Sequence, residues 1–321
     1  MLDTIEVLVT RVIAEAQGVK SWELAREDGS PLPSFTAGAH IDLKLANGLV
    51  RSYSLCNSQD EANRYLIAVN NDPQSRGGSK FIHDMLGLGD LVSISAPRNH
   101  FPLVEDAGHV VFVAGGIGIT PIYSMIQRLE ALGRSWELHY SARTKEMCAF
   151  RSQFEVLEQR RPGRVHFNFD HEPGGRMIDL KDVLAKSDAS AHFYCCGPAP
   201  MLQAFEDAAK ALGLPSPQIH VEYFTAMQEA ATDGGFTVEL ARSKRSFFVS
   251  AGKTILETLL DNDVDVPSSC TQGFCGTCET AVIEGIPDHR DSVLSSEDQA
   301  TNRTMMICCS GSKSEKLVLD L

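Results

Sequence analysis

The sequence predicts a multidomain α/β and β protein in three parts. These are an antiparallel β-barrel over residues 1–105, a parallel doubly wound sheet over 106–226, and a C-terminal β-grasp domain over 236–321. Three observations carry this reading. Short alternating segments fill the first third, strand and helix patterns alternate through the middle, and a C-x4-C-x2-C cluster closes the chain inside a strand–strand–helix–strand pattern.

In the first part, Ile5, Val7 and Val9 alternate with mostly polar neighbours, as does His40-Ile41-Asp42-Leu43-Lys44-Leu45. Tyr65 to Val69 and Leu91 to Ile94 are further strands, and Lys80 to Leu86 is the one helix-like piece. Regular short strands separated by turn residues suit an antiparallel barrel. Two motifs stand out within it. Arg51-Ser52-Tyr53-Ser54 places a guanidinium, two hydroxyls and an aromatic ring on one strand, and a guanidinium matches phosphate geometry bidentately. Arg76-Gly77-Gly78-Ser79 precedes the helix, where backbone N–H groups and a hydroxyl make an anion site. Read alone, the first also fits an exposed strand with a paired Arg, and the second a surface loop with a Ser cap.

In the middle part, His109 to Val113 contains a continuous apolar run, as a buried parallel strand would. Gly115-Gly116-Ile117-Gly118-Ile119-Thr120-Pro121 follows, with Thr120 a candidate cap and Pro121 at the first helical position. Strands over 137–140, 165–169, 191–194 and 219–223 then alternate with helices over 154–159, 180–185 and 201–212. Ligands of such sheets sit at the C-terminal strand ends. Two loops occupy those ends, Gly115 to Gly118 and Cys195-Cys196-Gly197-Pro198. The standard dinucleotide fingerprint is incomplete: its third glycine is missing, and the second strand ends in Ser141-Ala142-Arg143 rather than an acidic residue. A tight structural turn is the plain alternative.

Ala226 to Gly235 reads as a linker. Beyond it come strands over 236–240 and 246–249, a helix over 254–260, and strands over 280–283 and 317–319. Cys270, Cys275 and Cys278 lie within nine residues, and Cys308 follows after 29 more. This is the spacing of a plant-type [2Fe–2S] loop. Four thiolates also suit zinc, but zinc sites commonly pair two C-x2-C knuckles and only one is present.

Composition narrows the classes. The net charge of −13 argues against nucleic acid, whose phosphates need a basic surface. Residues 236–321 hold 13 acidic against 8 basic side chains, which fits either plain solubility or an acidic docking face. No apolar run suits a membrane helix and the first residues do not read as a secretory signal, so a cytoplasmic location is expected. Nine cysteines, five of them in the last 52 residues, read as ligation rather than a disulfide framework.

R-x-Y-S, G-G-S, G-G-I-G-I-T-P, Y-C-C-G-P and I-C-x-S, in this order, resemble the phthalate dioxygenase reductase family, which includes reductase components of Rieske oxygenases such as vanillate O-demethylase. The resemblance implies an FMN-binding barrel, an NAD-binding domain and a [2Fe–2S] ferredoxin domain. NADH would pass hydride to the flavin, and single electrons would go on through the cluster to a terminal oxygenase. It assigns Arg51, Gly77, Gly78 and Ser79 to the FMN phosphate, and Tyr53 and Ser54 to the flavin ring. Thr120, Cys196 and Phe224 would border hydride transfer. Ser52, Ala68, Val69, Asn70, Gly115, Gly116, Gly118, Pro121, Ser141, Arg143, Gly197 and Pro198 complete the cofactor-binding set, with NADPH open as an alternative through Arg143. The cluster ligands implied are Cys270, Cys275, Cys278 and Cys308, with Cys309 turned away if its segment is extended. The expected state is a monomer with no nucleic-acid or membrane partner. Gly311 departs from the arginine frequent at its place in the family. The competing reading is a non-enzymatic zinc module fused to a degenerate nucleotide-binding domain.

Overall fold

The computed structural model describes residues 4–73, 77–188, 190–224, 229–268 and 270–321. Arg76, Ser269 and residues 226–228 of the expected linker lie outside the described residues. The chain forms two compact units, one ending at Glu222 and the other running from Tyr223 to Leu321.

The first unit opens with an antiparallel six-stranded sheet. Its elements are β1 (Thr4–Ala16), β2 (Val19–Ala25), β3 (His40–Lys44), β4 (Val50–Ser54), β5 (Tyr65–Asn70), α1 (Gly78–Met85) and β6 (Leu91–Ser95). Their spatial order is β4-β3-β6-β1-β2-β5. The two outer strands meet, because Leu55, just past β4, bridges Ile67 on β5 and Cys56 N–H donates to Leu66 O at 2.7 Å. That contact closes the barrel and removes its open edges. Val7, Trp22, Ile41, Ile67 and Ile94 fill it. Strand β2 is absent from the sequence reading. Ser21 and Trp22 are adjacent and both buried, which breaks the expected alternation. Ser21 is accommodated by donating to Glu15 Oε1 at 2.6 Å, and the Trp22 indole N–H donates to Leu86 O at 2.9 Å.

The same unit continues with β7 (Val110–Gly115), α2 (Ile119–Leu132), β8 (Trp136–Ala142), α3 (Arg151–Arg160), β9 (Val165–Phe169), α4 (Leu180–Ala185), β10 (His192–Cys196), α5 (Ala199–Ala211) and β11 (Ile219–Glu222). These strands form one parallel sheet in the order β11-β10-β7-β8-β9. The chain winds outward from β7 to β9 and then returns to the other side at β10. The C-terminal ends of β7 and β10 therefore flank the switch point where such sheets bind ligands.

The second unit contains β12 (Phe236–Leu240), β13 (Ser246–Val249), α6 (Ile255–Leu260), β14 (Glu279–Glu284), β15 (Pro287–Asp288), α7 (Ser296–Thr301), β16 (Thr304–Met306), β17 (Gly311–Ser312) and β18 (Lys316–Leu319). The five-stranded order is β13-β12-β18-β14-β16, with β12 and β18 parallel at its centre. First and last strands pair side by side, and α6 packs Ile255, Leu256 and Leu259 into the core, which is the β-grasp arrangement. Helix α6 starts at a capping box: Thr254 Oγ1 accepts from Glu257 N–H at 3.1 Å, and Glu257 Oε2 accepts from Thr254 N–H at 2.9 Å.

Candidate functional site

Three clusters gather the residues singled out above. The first lies on the barrel. Helix α1 begins at Gly78, capped by Gly77 at φ +90°, a conformation that glycine adopts without strain. A Cβ on Gly78 would lie 2.6 Å from Arg51 Nε, so the guanidinium stem rests directly on the first helical residue. The Ser79 hydroxyl is buried and has no hydrogen-bond partner among the described residues. Buried polar groups are rarely left so, which points to an acceptor on a bound ligand. Ser79 is thus inside the first turn rather than its cap. Guanidinium, two glycines, a helix N-terminus and an orphaned hydroxyl fit a phosphate monoester.

On β4, Arg51 and Tyr53 pair with Leu43 and Ile41 and share their face. Burial pushes the Tyr53 phenol up. Ser52 faces the other way and donates to Asp42 Oδ1 at 2.7 Å, while Arg98 Nη2 donates to Asp42 Oδ2 at 2.6 Å. Ser54 is buried on that same face. Ala68 and Val69 are buried on β5, with Asn70 half-buried at its end, and this strand lies against the Gly116–Gly118 turn.

The second cluster sits at the switch point. Gly118 packs so tightly that a Cβ there would lie 2.2 Å from Cys196 O and 2.7 Å from Gly197 N. A Cβ on Gly115 would meet Pro198 Cδ at 2.6 Å. The two loops thus touch backbone to backbone. Thr120 is not the helix cap: α2 starts at Ile119 after Gly118, and the buried Thr120 hydroxyl donates to Ile117 O at 3.0 Å. Pro121 is the third helical residue and buried. Ser141 is buried at the end of β8, and Arg143 is exposed just beyond it.

Beside this crevice the structure adds a residue that sequence reasoning missed. Glu222 ends β11 directly opposite Cys196, and the Cys196 thiol points at its Oε2 at 4.0 Å. Burial of this carboxyl pushes it up to about 8. Burial likewise pushes the Cys196 thiol up, with the carboxyl adding to the effect. The only signal in the sequence was an acidic residue at the end of an apolar strand. Phe224 is half-buried and belongs to the unit beginning at Tyr223.

The third cluster is the cysteine loop. Cys270, Cys275, Cys278 and Cys308 are buried and free of disulfides. The Cys270 sulfur contacts those of Cys275 and Cys308, and the Cys278 sulfur contacts that of Cys308. Gln272 N–H donates to Cys270 Sγ at 3.3 Å and Cys270 N–H to Cys275 Sγ at 3.5 Å. These neighbouring thiols and N–H groups hold Cys270 well below the usual thiol range. Four converging sulfurs with N–H groups aimed at them fit an anionic sulfur-ligated cluster. Cys309 does not turn away. Residues 307–309 form a turn, so strand alternation does not apply, and a Cβ on Gly273 would lie 2.4 Å from Cys309 Sγ. Gly311 also has a local reason: a Cβ there would come within 2.7 Å of Ala231 Cβ.

Comparison with known proteins bears on these clusters. Residues 238–312 match the 2Fe-2S iron-sulfur cluster binding domain, and residues 112–207 the oxidoreductase NAD-binding domain. A phthalate dioxygenase reductase of known structure, described as a modular structure for electron transfer from pyridine nucleotides to [2Fe-2S], is 41% identical, with a TM-score of 0.73 over 99% of this chain and 98% of that one. The chain belongs to the phthalate dioxygenase reductase family. Within it, the chain is 51% identical to tetrachlorobenzoquinone reductase of Sphingobium chlorophenolicum, over 100% of this chain and 99% of that one. It is 51% identical to phenoxybenzoate dioxygenase subunit beta of Ectopseudomonas oleovorans, over 95% and 94%. The chain is an NAD-dependent oxidoreductase with a barrel, a nicotinamide-type sheet and a ferredoxin-type domain. Among the described residues, no helix is long and apolar enough to cross a membrane.

Proposed function

We propose that this reductase takes two electrons from NADH and delivers them singly, through FMN and a [2Fe–2S] cluster, to a Rieske-type terminal oxygenase. The observation that carries it is the convergence of four buried, disulfide-free thiols in a chain that also has a phosphate cradle on its barrel and a glycine crevice at the switch point. When bound, the flavin supplies two-electron acceptance with one-electron release, and the cluster supplies one-electron carriage. The protein's residues do the positioning. Arg51, Gly77, Gly78 and Ser79 hold the FMN phosphate, and Tyr53 packs beside the ring. Gly115, Gly116 and Gly118 let the backbone approach the dinucleotide, and Cys196 borders its nicotinamide. Glu222, protonated near neutrality, holds a proton beside that thiol. Cys270, Cys275, Cys278 and Cys308 ligate the cluster. The assignment of Phe224 rests on the family resemblance. A monomer in the cytoplasm, with an acidic C-terminal domain meeting the oxygenase, completes the reading.

Anaerobic titration with NADH tests it, followed by extraction and identification of the flavin. Flavin and cluster absorption should both bleach, and the flavin should be FMN. Colourless protein carrying zinc would sink the proposal. A second reading is favoured by the 51% identity to a tetrachlorobenzoquinone reductase: direct reduction of a quinone by the flavin domain. Replacing Cys275 by Ser separates the two. Quinone reduction from the flavin survives the change, whereas delivery to an oxygenase does not.

A further inference from the structure

The first unit holds a second group of metal-ligating side chains, at the end of the parallel sheet opposite its glycine crevice. Glu137 and His139 lie two residues apart on β8, so both project from one face. His166 on β9 stands directly opposite His139, and their rings stack at 4.7 Å with an interplanar angle of 21°. His139 Nε2 is 3.4 Å from Glu137 Oε1, and one ligand atom from each of the three lies within 4.8 Å of the others. They face a cavity of about 360 Å³. Other polar residues of that cavity already have partners. Lys186 pairs with Asp182 at 2.6 Å, Asp188 accepts from Ser190 N–H at 2.8 Å, and His109 Nδ1 meets Ser135 Oγ at 2.8 Å.

We propose that Glu137, His139 and His166 bind one late first-row divalent metal ion, with Zn²⁺ the representative. Imidazole nitrogen and a single carboxylate suit zinc, nickel or copper, whereas magnesium and calcium want oxygen. Tetrahedral zinc with ligands at about 2.0–2.2 Å spaces those ligands roughly 3.3–3.6 Å apart. The three side chains must therefore close by about 1 Å, which half-exposed rotamers on a strand permit. Three protein ligands leave a fourth position for water, so the ion is exchangeable. It would join the first four residues of β8 to the start of β9, away from the C-terminal ends that hold the nicotinamide loops.

Calorimetric titration of the holoprotein with Zn²⁺ tests this, while cluster absorption is monitored so that zinc at the cysteines is recognised. One saturable site is expected with the cluster spectrum unchanged, and no comparable heat with Mg²⁺. Glu137→Gln, His139→Gln and His166→Gln should each weaken binding at least tenfold. Absence of saturable Zn²⁺ binding, or affinity unchanged in all three variants, overturns the proposal. Should a variant fail to fold, crystals of the unaltered protein soaked in Zn²⁺ decide it. An anomalous peak between these three side chains supports the site, and peaks only elsewhere reject it.

Discussion

Gly118 and Cys196 meet backbone to backbone: a Cβ on the glycine would lie 2.2 Å from the cysteine carbonyl oxygen. The contact joins the first and fourth strands of the parallel sheet at the switch point, where their loops form the crevice proposed for the dinucleotide. No flexible side chain lies there to give way. Overpacking of this kind costs about 1–3 kcal/mol. Gly118→Ala should therefore raise KM for NADH roughly 10- to 100-fold by pushing the loops apart. Flavin content and cluster absorption should stay at parent levels. An unchanged KM would show that the crevice tolerates the shift and that dinucleotide binding does not depend on this contact.

The orphaned Ser79 hydroxyl makes a separate prediction. Losing one charge-assisted hydrogen bond to a phosphate costs about 1.5–3 kcal/mol. Ser79→Ala should weaken FMN binding by about 10- to 150-fold, and Arg51→Ala by at least as much. Equilibrium dialysis of the flavin against each variant measures this. Riboflavin, which lacks the phosphate, should bind parent and Ser79→Ala equally. A matching loss with riboflavin would assign Ser79 to the fold rather than to the phosphate.

At the cysteine loop, Cys275→Ser should abolish electron delivery to an oxygenase while NADH still reduces the flavin. Loss of flavin reduction in a folded variant would reverse the proposed order of electron flow. Cys309→Ala should keep the cluster and its absorption, whereas Cys308→Ala should lose both. The test is informative because the Cys309 sulfur also packs against the loop, where a Cβ on Gly273 would lie 2.4 Å from it.

Glu222 predicts a dependence on pH. In the fold its carboxyl keeps its proton to about 8, whereas an unfolded glutamate releases it near ~4.3. The folded state binds more protons between those values, so this contribution to stability is complete below about 4.3 and declines as pH rises toward 8. Thermal unfolding followed by flavin release should show the decline in the parent. Glu222→Gln should flatten it, so the variant gains on the parent with rising pH. Parallel curves for the two proteins would remove Glu222 as the source.

Much of this was legible along the chain. The alternation at His40 to Lys44, the apolar run into Gly115 and the helix over 254–260 each depend on neighbours within a few residues, and each formed the expected element. Strand β2 was not legible, because burial of both Ser21 and Trp22 depends on a partner for each, Glu15 in one case and Leu86 in the other. Helix α7 and strand β16 were missed as well, in a stretch with few apolar residues to set a period.

The chain alone carries the three-part order, the ligand-type spacing of Cys270, Cys275 and Cys278, and the residue types at Arg51 and Gly77 to Ser79 that make a phosphate site expected. These are properties of residue type and short spacing. Tertiary packing sets that Glu222 stands beside Cys196, that Gly118 seats on its carbonyl, that the Cys309 sulfur lies at Gly273, and that His166 joins Glu137 and His139. Each of these pairs residues far apart in the chain. Strand register, set by how the cores of the sheets pack, brings most of them together. A turn at residues 307–309 decides the remaining one. Neither leaves a local mark in the sequence.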